Sequence, residues 1–160
     1  MTTDPYLDPL DAAKHLLDHL AGRDGSTPTP VTLARHLDSF MYALRYLLID
    51  SVSMVPKGEL KHPEDAYETW REVTGPRFEM LGYYWRALSS HVKPGEKPEI
   101  GTGDAIDDLA DIASEFTIVE AHLNAFGRED ALAALRQAYE VHLHMHIVPL
   151  RAYLEELIFE

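Results

Sequence analysis

Between Asp104 and Gly127 the apolar residues Ala105, Leu109, Ile112, Phe116, Val119, Leu123 and Phe126 recur in steps of three and four. That is the period of an α-helix with one apolar stripe, and such a stripe has to be covered by neighbouring elements. The same pattern recurs along the chain. Asp8-Pro9 sets a capping acid before a proline at the first helical position, and Gly22 closes the segment. A helix is predicted from Pro9 to Ala21, burying Leu10, Ala13, Leu17 and Leu20. Thr29-Pro30 repeats the signal and opens a long helix to about Met54, striped by Leu33, Leu37, Phe40, Leu44 and Leu48.

After Pro56-Lys57-Gly58, His62-Pro63-Glu64-Asp65 begins a short helix through Trp70 that stops near Gly75-Pro76. A further helical stretch, Phe78 to His91, is expected to turn Leu81, Tyr84, Trp85 and Leu88 to one side. Lys93 to Gly103 carries Pro94, Gly95, Pro98, Gly101 and Gly103 and reads as a surface loop. A last helix starts near Glu129, with a kink expected at Pro149. No stretch alternates with a period of two between hairpin turns, so no strand is expected. The fold class is therefore all-α: one domain over residues 1–160, an up-and-down bundle of four main helices with short additional helices.

Composition narrows the chemistry. The chain has no cysteine, which excludes disulfide scaffolds, thiolate metal sites, iron–sulfur clusters and cysteine nucleophiles. With 14 Lys plus Arg against 27 Asp plus Glu, the formal charge of −13 opposes binding to nucleic acid and to anionic lipid. No apolar run approaches the roughly 18 residues of a membrane span, and Thr2, Thr3 and Asp4 form no basic leader, so the expected location is cytoplasmic. Gly101-Thr102-Gly103 lacks the third glycine of a phosphate-binding loop, and nucleotide folds are not supported.

The most informative stretch is Tyr139-Glu140-Val141-His142-Leu143-His144-Met145-His146. His142 and His146 lie four residues apart, hence on one helix face, the spacing that lets two imidazoles share a metal ion. His144 falls on the polar side with Gln137, Glu140 and Arg151. The plainer reading of the pair is two partly buried rings hydrogen-bonded to tyrosine hydroxyls or carboxylates across the bundle; the sharper one is a ligand or metal site. Asp104, Asp108, Asp111 and Glu115 share one side of the preceding helix, and two or three of them beside the histidines would suit a hard divalent ion. Acids in a first turn also favour the helix dipole, and Asp104 and Asp107 are read in that plain way. His36 supplies a third imidazole only if its polar edge turns inward, and His15 is read as solvent-facing. Tyr83-Tyr84-Trp85, with Tyr67 and Trp70, is assigned to core packing ahead of a ligand pocket.

Asp107-Asp108-Leu109-Ala110-Asp111-Ile112, Gly127, Ala131-Leu132, Arg136 and Tyr139-Glu140-Val141-His142 with His146 together resemble the bacterial domain-of-unknown-function family 5063, over roughly the last third of the chain. The resemblance implies an all-α bundle and singles out Asp108, Asp111, Arg136, Glu140, His142 and His146 as ligand-binding candidates, without an established activity. A weaker likeness is to DinB-like four-helix bundles, in which His36, His142 and His146 would hold a divalent metal with an open position.

Two functions follow as expectations. The first is a helical bundle without a complete catalytic constellation, binding a protein or small molecule, with a homodimer open to it. The alternative is a bundle holding a divalent metal (Zn, Mn or Ni) at His142 and His146, completed by Asp108 or Asp111, and acting as a metal-dependent hydrolase.

Overall fold

The computed structural model describes residues 8–49, 55–89 and 91–160. Its elements in chain order are α1 (Pro9–Leu20), α2 (Pro30–Ile49), α3 (Ala66–Arg77), β1 (Tyr83–Ala87), β2 (Ile100–Asp104), α4 (Ala105–Phe126), α5 (Arg128–Ala138), a π-helical turn (Tyr139–Leu143) and α6 (His144–Phe159). The chain is mostly helical, as expected. The expected end of α2 at Met54 lies outside the described residues. Among the described residues no helix is long and apolar enough to cross a membrane.

The caps of α1 and α2 form where the sequence placed them. The Asp8 carboxylate accepts from the amides of Leu10 (3.0 Å) and Asp11 (3.3 Å), satisfying donors that the first helical turn cannot. Thr29 and Thr32 bond reciprocally, Thr32 N to Thr29 Oγ1 at 3.1 Å and Thr29 N to Thr32 Oγ1 at 2.9 Å. Asp104 caps α4 through the amides of Ile106 and Asp107. Gly127 separates α4 from α5 at φ 89°, a conformation in which a Cβ would be strained.

One core joins these helices. Leu16, Leu17 and Leu20 of α1 meet Leu33, Leu37, Phe40 and Leu44 of α2, together with Leu109, Ile112 and Phe116 of α4 and Ile147, Leu150 and Leu154 of α6. Phe40 and Phe116 pack ring to ring at 5.0 Å with an interplanar angle of 60°. At the rim, Arg151 of α6 forks onto Asp38 of α2 at 2.6 and 3.0 Å. α3 lies along α4, where the Trp70 indole donates to Thr117 Oγ1 at 2.9 Å.

The expectations of no strand, of a helix from Phe78 and of a surface loop up to Gly103 need correction: the mostly helical chain carries a small two-stranded sheet in which β1 and β2 pair antiparallel, Tyr83 opposite Asp104 through Ala87 opposite Ile100. Among the described residues, the stretch expected as a helix from Phe78 to His91 holds a turn and the strand Tyr83–Ala87, and part of the expected surface loop is the partner strand. Only Tyr84 of that strand is buried, while Trp85 is 81% exposed and Leu88 57%. The short helix ends at Arg77, beside the expected stop near Gly75-Pro76, with Pro76 inside its last turn. In the last rod, α6 continues through Pro149, and a π turn stands at Tyr139–Leu143, where the His144 amide reaches back to the Tyr139 carbonyl. The His144 ring bonds the same carbonyl at 2.8 Å, which accounts for that histidine structurally.

The ribbon is held to the bundle by Tyr84. Its ring stacks on Tyr153 of α6 at 4.8 Å and 12°, and Tyr153 Oη accepts from the Gly82 amide at 3.0 Å. Gly103 sits opposite Tyr84, and a Cβ there would fall within the tyrosine ring. Gly103→Ala is therefore expected to lower stability by about 1–3 kcal/mol through forced repacking. In α3, Gly75→Ala meets only ordinary contact with Ile106 at 3.8 Å and should be neutral or stabilising. Thermal unfolding of the two variants side by side checks this, and equal melting temperatures would contradict it.

Candidate metal centre

Five residues of the last rod and α4 build the centre. His142 stands in the π turn and His146 in the first turn of α6. Facing them, Asp108, Asp111 and Glu115 follow one another on α4 at helical spacing of three and four. Asp108 is buried, because α6 covers it.

Each imidazole has one nitrogen committed to a carboxylate. His142 Nδ1 lies 2.9 Å from Glu115 Oε1, and His146 Nδ1 lies 2.8 Å from Asp108 Oδ1. An ionised carboxylate only accepts, so both Nδ1 atoms carry the proton, and both Nε2 atoms keep a lone pair in the neutral rings. Those two Nε2 atoms face each other at 3.0 Å, with the rings at 82°. Two lone pairs at that distance repel; one positive charge has to sit between them, either a proton or a metal ion. Asp111 Oδ2 approaches the same point, 3.6 Å from His146 Nε2. Single donor atoms of Asp111, His142 and His146 all fall within 4.8 Å of one another.

The 3.0 Å spacing of the two Nε2 atoms fits a shared ion, and Asp111 at 3.6 Å stands slightly wide of it. Donors at about 2.1 Å from one metal lie roughly 3.0–3.4 Å apart when they subtend ~90–110°. The carboxylates behind the Nδ1 atoms supply the outer shell that orients ligating histidines and raises their basicity. Burial by itself would lower the His146 imidazole, but the hydrogen bond to Asp108 and the charges of Asp111 and Asp108 outweigh it and raise the group above its ordinary value. Burial raises the Asp111 carboxyl, against the opposing pull of His146 and His142.

The outer shell extends into the ribbon. Tyr84 Oη donates to the other oxygen of Asp108, so that carboxylate is gripped by His146 on one side and Tyr84 on the other. Burial, then the Asp108 hydrogen bond and charge, push the Tyr84 phenol far up, which keeps it a donor. On the open side, His62 Nε2 stands 3.6 Å from Glu115 Oε2, and a hollow above the centre is lined by His62, Tyr67, Asp111, Glu115 and His142.

The remaining sequence candidates lie elsewhere. Arg136 pairs with Glu140 at 2.9 Å, the expected four-residue ion pair, and also reaches the Leu47 carbonyl at 3.4 Å. Neither joins the histidines. Asp104 serves as a cap, and Asp107 takes Tyr67 and Arg71, the latter at 2.8 Å. His15 is exposed, as expected.

The structure does not bring His36 to the His142/His146 pair. Its ring stacks on His19 of α1 at 4.4 Å and 20°, and Asp24 Oδ2 lies 2.9 Å from His19 Nδ1 and 3.7 Å from His36 Nε2. Single donor atoms of His19, Asp24 and His36 also fall within 4.8 Å of one another, but with the rings stacked in near-parallel planes an ion in the plane of one ring lies out of the plane of the other. Ser26 Oγ also meets His19 Nδ1 at 2.8 Å, and Arg77 stands 3.8 Å from Asp24, already supplying a cation. Burial works to raise the Asp24 carboxyl, yet the Ser26 bonds and His19 hold it well below the usual carboxylate range. Burial and the neighbouring His19 charge lower the His36 imidazole. This second cluster reads as a network closing the loop after α1, which Arg77 ties down through the carbonyls of His19 (2.9 Å) and Ser26 (3.0 Å).

Glu115 had a sequence signal, since it follows Asp108 and Asp111 by seven and four residues on the same helix face. Tyr84 and His62 had none, because strand pairing and loop placement carried them to the site. Comparison of the chain with protein-family models, curated proteins and solved structures gives no match, and the centre stands on its geometry alone.

Proposed function

We propose that this protein is a divalent-metal-binding helical bundle whose ion is held by His142, His146 and Asp111 and oriented by Glu115 and Asp108. The observation that carries the reading is the 3.0 Å approach of two Nε2 atoms whose Nδ1 partners are both carboxylates. A third donor aimed at the same point favours a metal over a shared proton. The scaffold is an up-and-down arrangement of α1, α2, α4 and α6, supported by contacts of α1 with α2, α2 with α6, α6 with α4 and α4 with α1. Three protein donors leave a coordination position for water, the pattern of a catalytic rather than a structural site. The chemistry proposed for it is hydrolysis by a metal-activated water.

Elemental analysis of protein purified without a histidine tag tests the proposal. About one zinc, manganese or nickel ion per chain is expected, falling to background in a His142→Ala/His146→Ala double variant that keeps its helical circular dichroism. Sub-stoichiometric metal, unchanged after adding each of the three ions, would leave the shared proton as the charge between the rings and end the metal reading.

A further inference from the structure

Alternation along β1 sends Tyr84 into the bundle, so Tyr83, Trp85 and Ala87 point the other way, and the register sets Asp104, Thr102 and Ile100 beside them. Tyr83 is 74% exposed, Trp85 81% and Ile100 61%, and Ala87 and Thr102 are exposed as well. The one charged member of these rows is Asp104, at the end where it caps α4 and meets Arg71 at 3.3 Å. The rest of the face carries no charge, in a chain whose formal charge is −13.

We infer that this outer face of the β1–β2 ribbon is a homodimer interface, in which Trp85 of each copy packs on Thr102 of the other. The area is sufficient. With buried aromatic side chains covering about 150–250 Å² each, the face offers roughly 500 Å² per copy, and two copies together reach about 1,000 Å², the lower limit of a specific contact. The shape is its own complement. Each row of the register sets a larger side chain beside a smaller one: Tyr83 beside Asp104, Trp85 beside Thr102, and Ile100 beside Ala87. A two-fold axis running along the ribbon exchanges β1 with β2, and so lays Trp85 over Thr102 and Ile100 over Ala87, large against small in both directions. Charge points the same way. Two chains of −13 repel wherever their acidic surfaces meet, and a face almost free of acids is where they approach at least cost. Metal binding is not needed for this contact, since the proposed centre lies behind the opposite face of the ribbon, where Tyr84 meets Asp108.

Sedimentation velocity of the untagged full chain from about 1 to 200 μM brackets the micromolar affinity of an interface this small. A monomer–dimer equilibrium is expected. It should tighten as salt is raised, because screening removes the repulsion between two acidic chains and leaves the apolar contact. Trp85→Ser removes the most exposed aromatic side chain of the face, and Thr102→Glu sets a carboxylate against Trp85 of the other copy. Each is expected to raise the dimer dissociation constant about tenfold or more. Both positions are exposed in the single chain, so both variants should keep the native circular dichroism. Fluorescence gives a second readout. Of the two tryptophans, Trp70 and Trp85, the latter passes from water into the interface, so emission should shift to the blue with concentration in the native chain and not in Thr102→Glu. A chain that stays monomeric over this range at both low and high salt, or a dimer indifferent to both substitutions, would overturn the inference. So would a monomer whose emission shifts to the blue only on uncharged phosphatidylcholine vesicles, which would give the face to a lipid surface.

Discussion

An Asp108→Ala chain is expected to hold zinc about ten- to a hundredfold more weakly than the native protein, although Asp108 is not among the three proposed ligands. The carboxylate fixes His146 with Nδ1 protonated and Nε2 free, and its other oxygen is held by Tyr84 from the ribbon. Without it the ring can turn and exchange tautomers, and the lone pair that should face His142 Nε2 at 3.0 Å is present only part of the time. Tyr84→Phe should act in the same direction and less strongly, because His146 keeps its carboxylate. Competition against a chelator well below the melting temperature separates this from general loosening, and nitrogen resonances of the His146 ring report the tautomer directly. Native-like zinc affinity in Asp108→Ala, with His142→Ala/His146→Ala still abolishing binding, would show that the outer shell does not orient the site.

The largest loss of stability is expected from Phe116→Ala. Phe116 is 2% exposed and meets Phe40 across the contact of α4 with α2. Removing a buried phenyl ring loses its transfer free energy and leaves a cavity that the helices fill only in part, at a cost of about 3–5 kcal/mol. For a domain of this size that corresponds to a fall in melting temperature of roughly 6–20 °C. Val141 is 66% exposed in the π turn, and Val141→Ala should change stability by no more than about 0.5 kcal/mol. Zinc should still raise the melting temperature of Phe116→Ala, since an ion that binds only the folded chain stabilises whatever remains folded. A fall in melting temperature no larger than that of Val141→Ala would mean that the α2–α4 contact is not part of the core.

The helix starts were legible because they are local events. Asp8 before Pro9 and Thr29 before Pro30 satisfy amides two or three residues away, and these caps formed as the spacing predicted. The common face of His142 and His146 was likewise set by helical periodicity alone. The ribbon was not legible. Tyr83–Ala87 is five residues long with one buried side chain, and its alternation can be seen only once the partner strand Ile100–Asp104 is known. Tyr84, Trp85 and Leu88 also fit a helical stripe, so an apolar count could not choose between the two.

What the sequence by itself determined was where helices begin, which residues share a face, and that two imidazoles stand side by side near the end of the chain. Tertiary structure decided which carboxylates meet them. Asp104 and Asp107 turn to their own cap and to Arg71, while Asp108, Asp111 and Glu115, on the same helix, turn to the histidines. It also sent His36 to His19 and brought Tyr84 behind Asp108. The physical reason is range. Caps and periodicity act over a few residues of one chain segment, whereas the charge that a buried histidine faces depends on the helix packed against it, and that contact exists only when the whole core has closed.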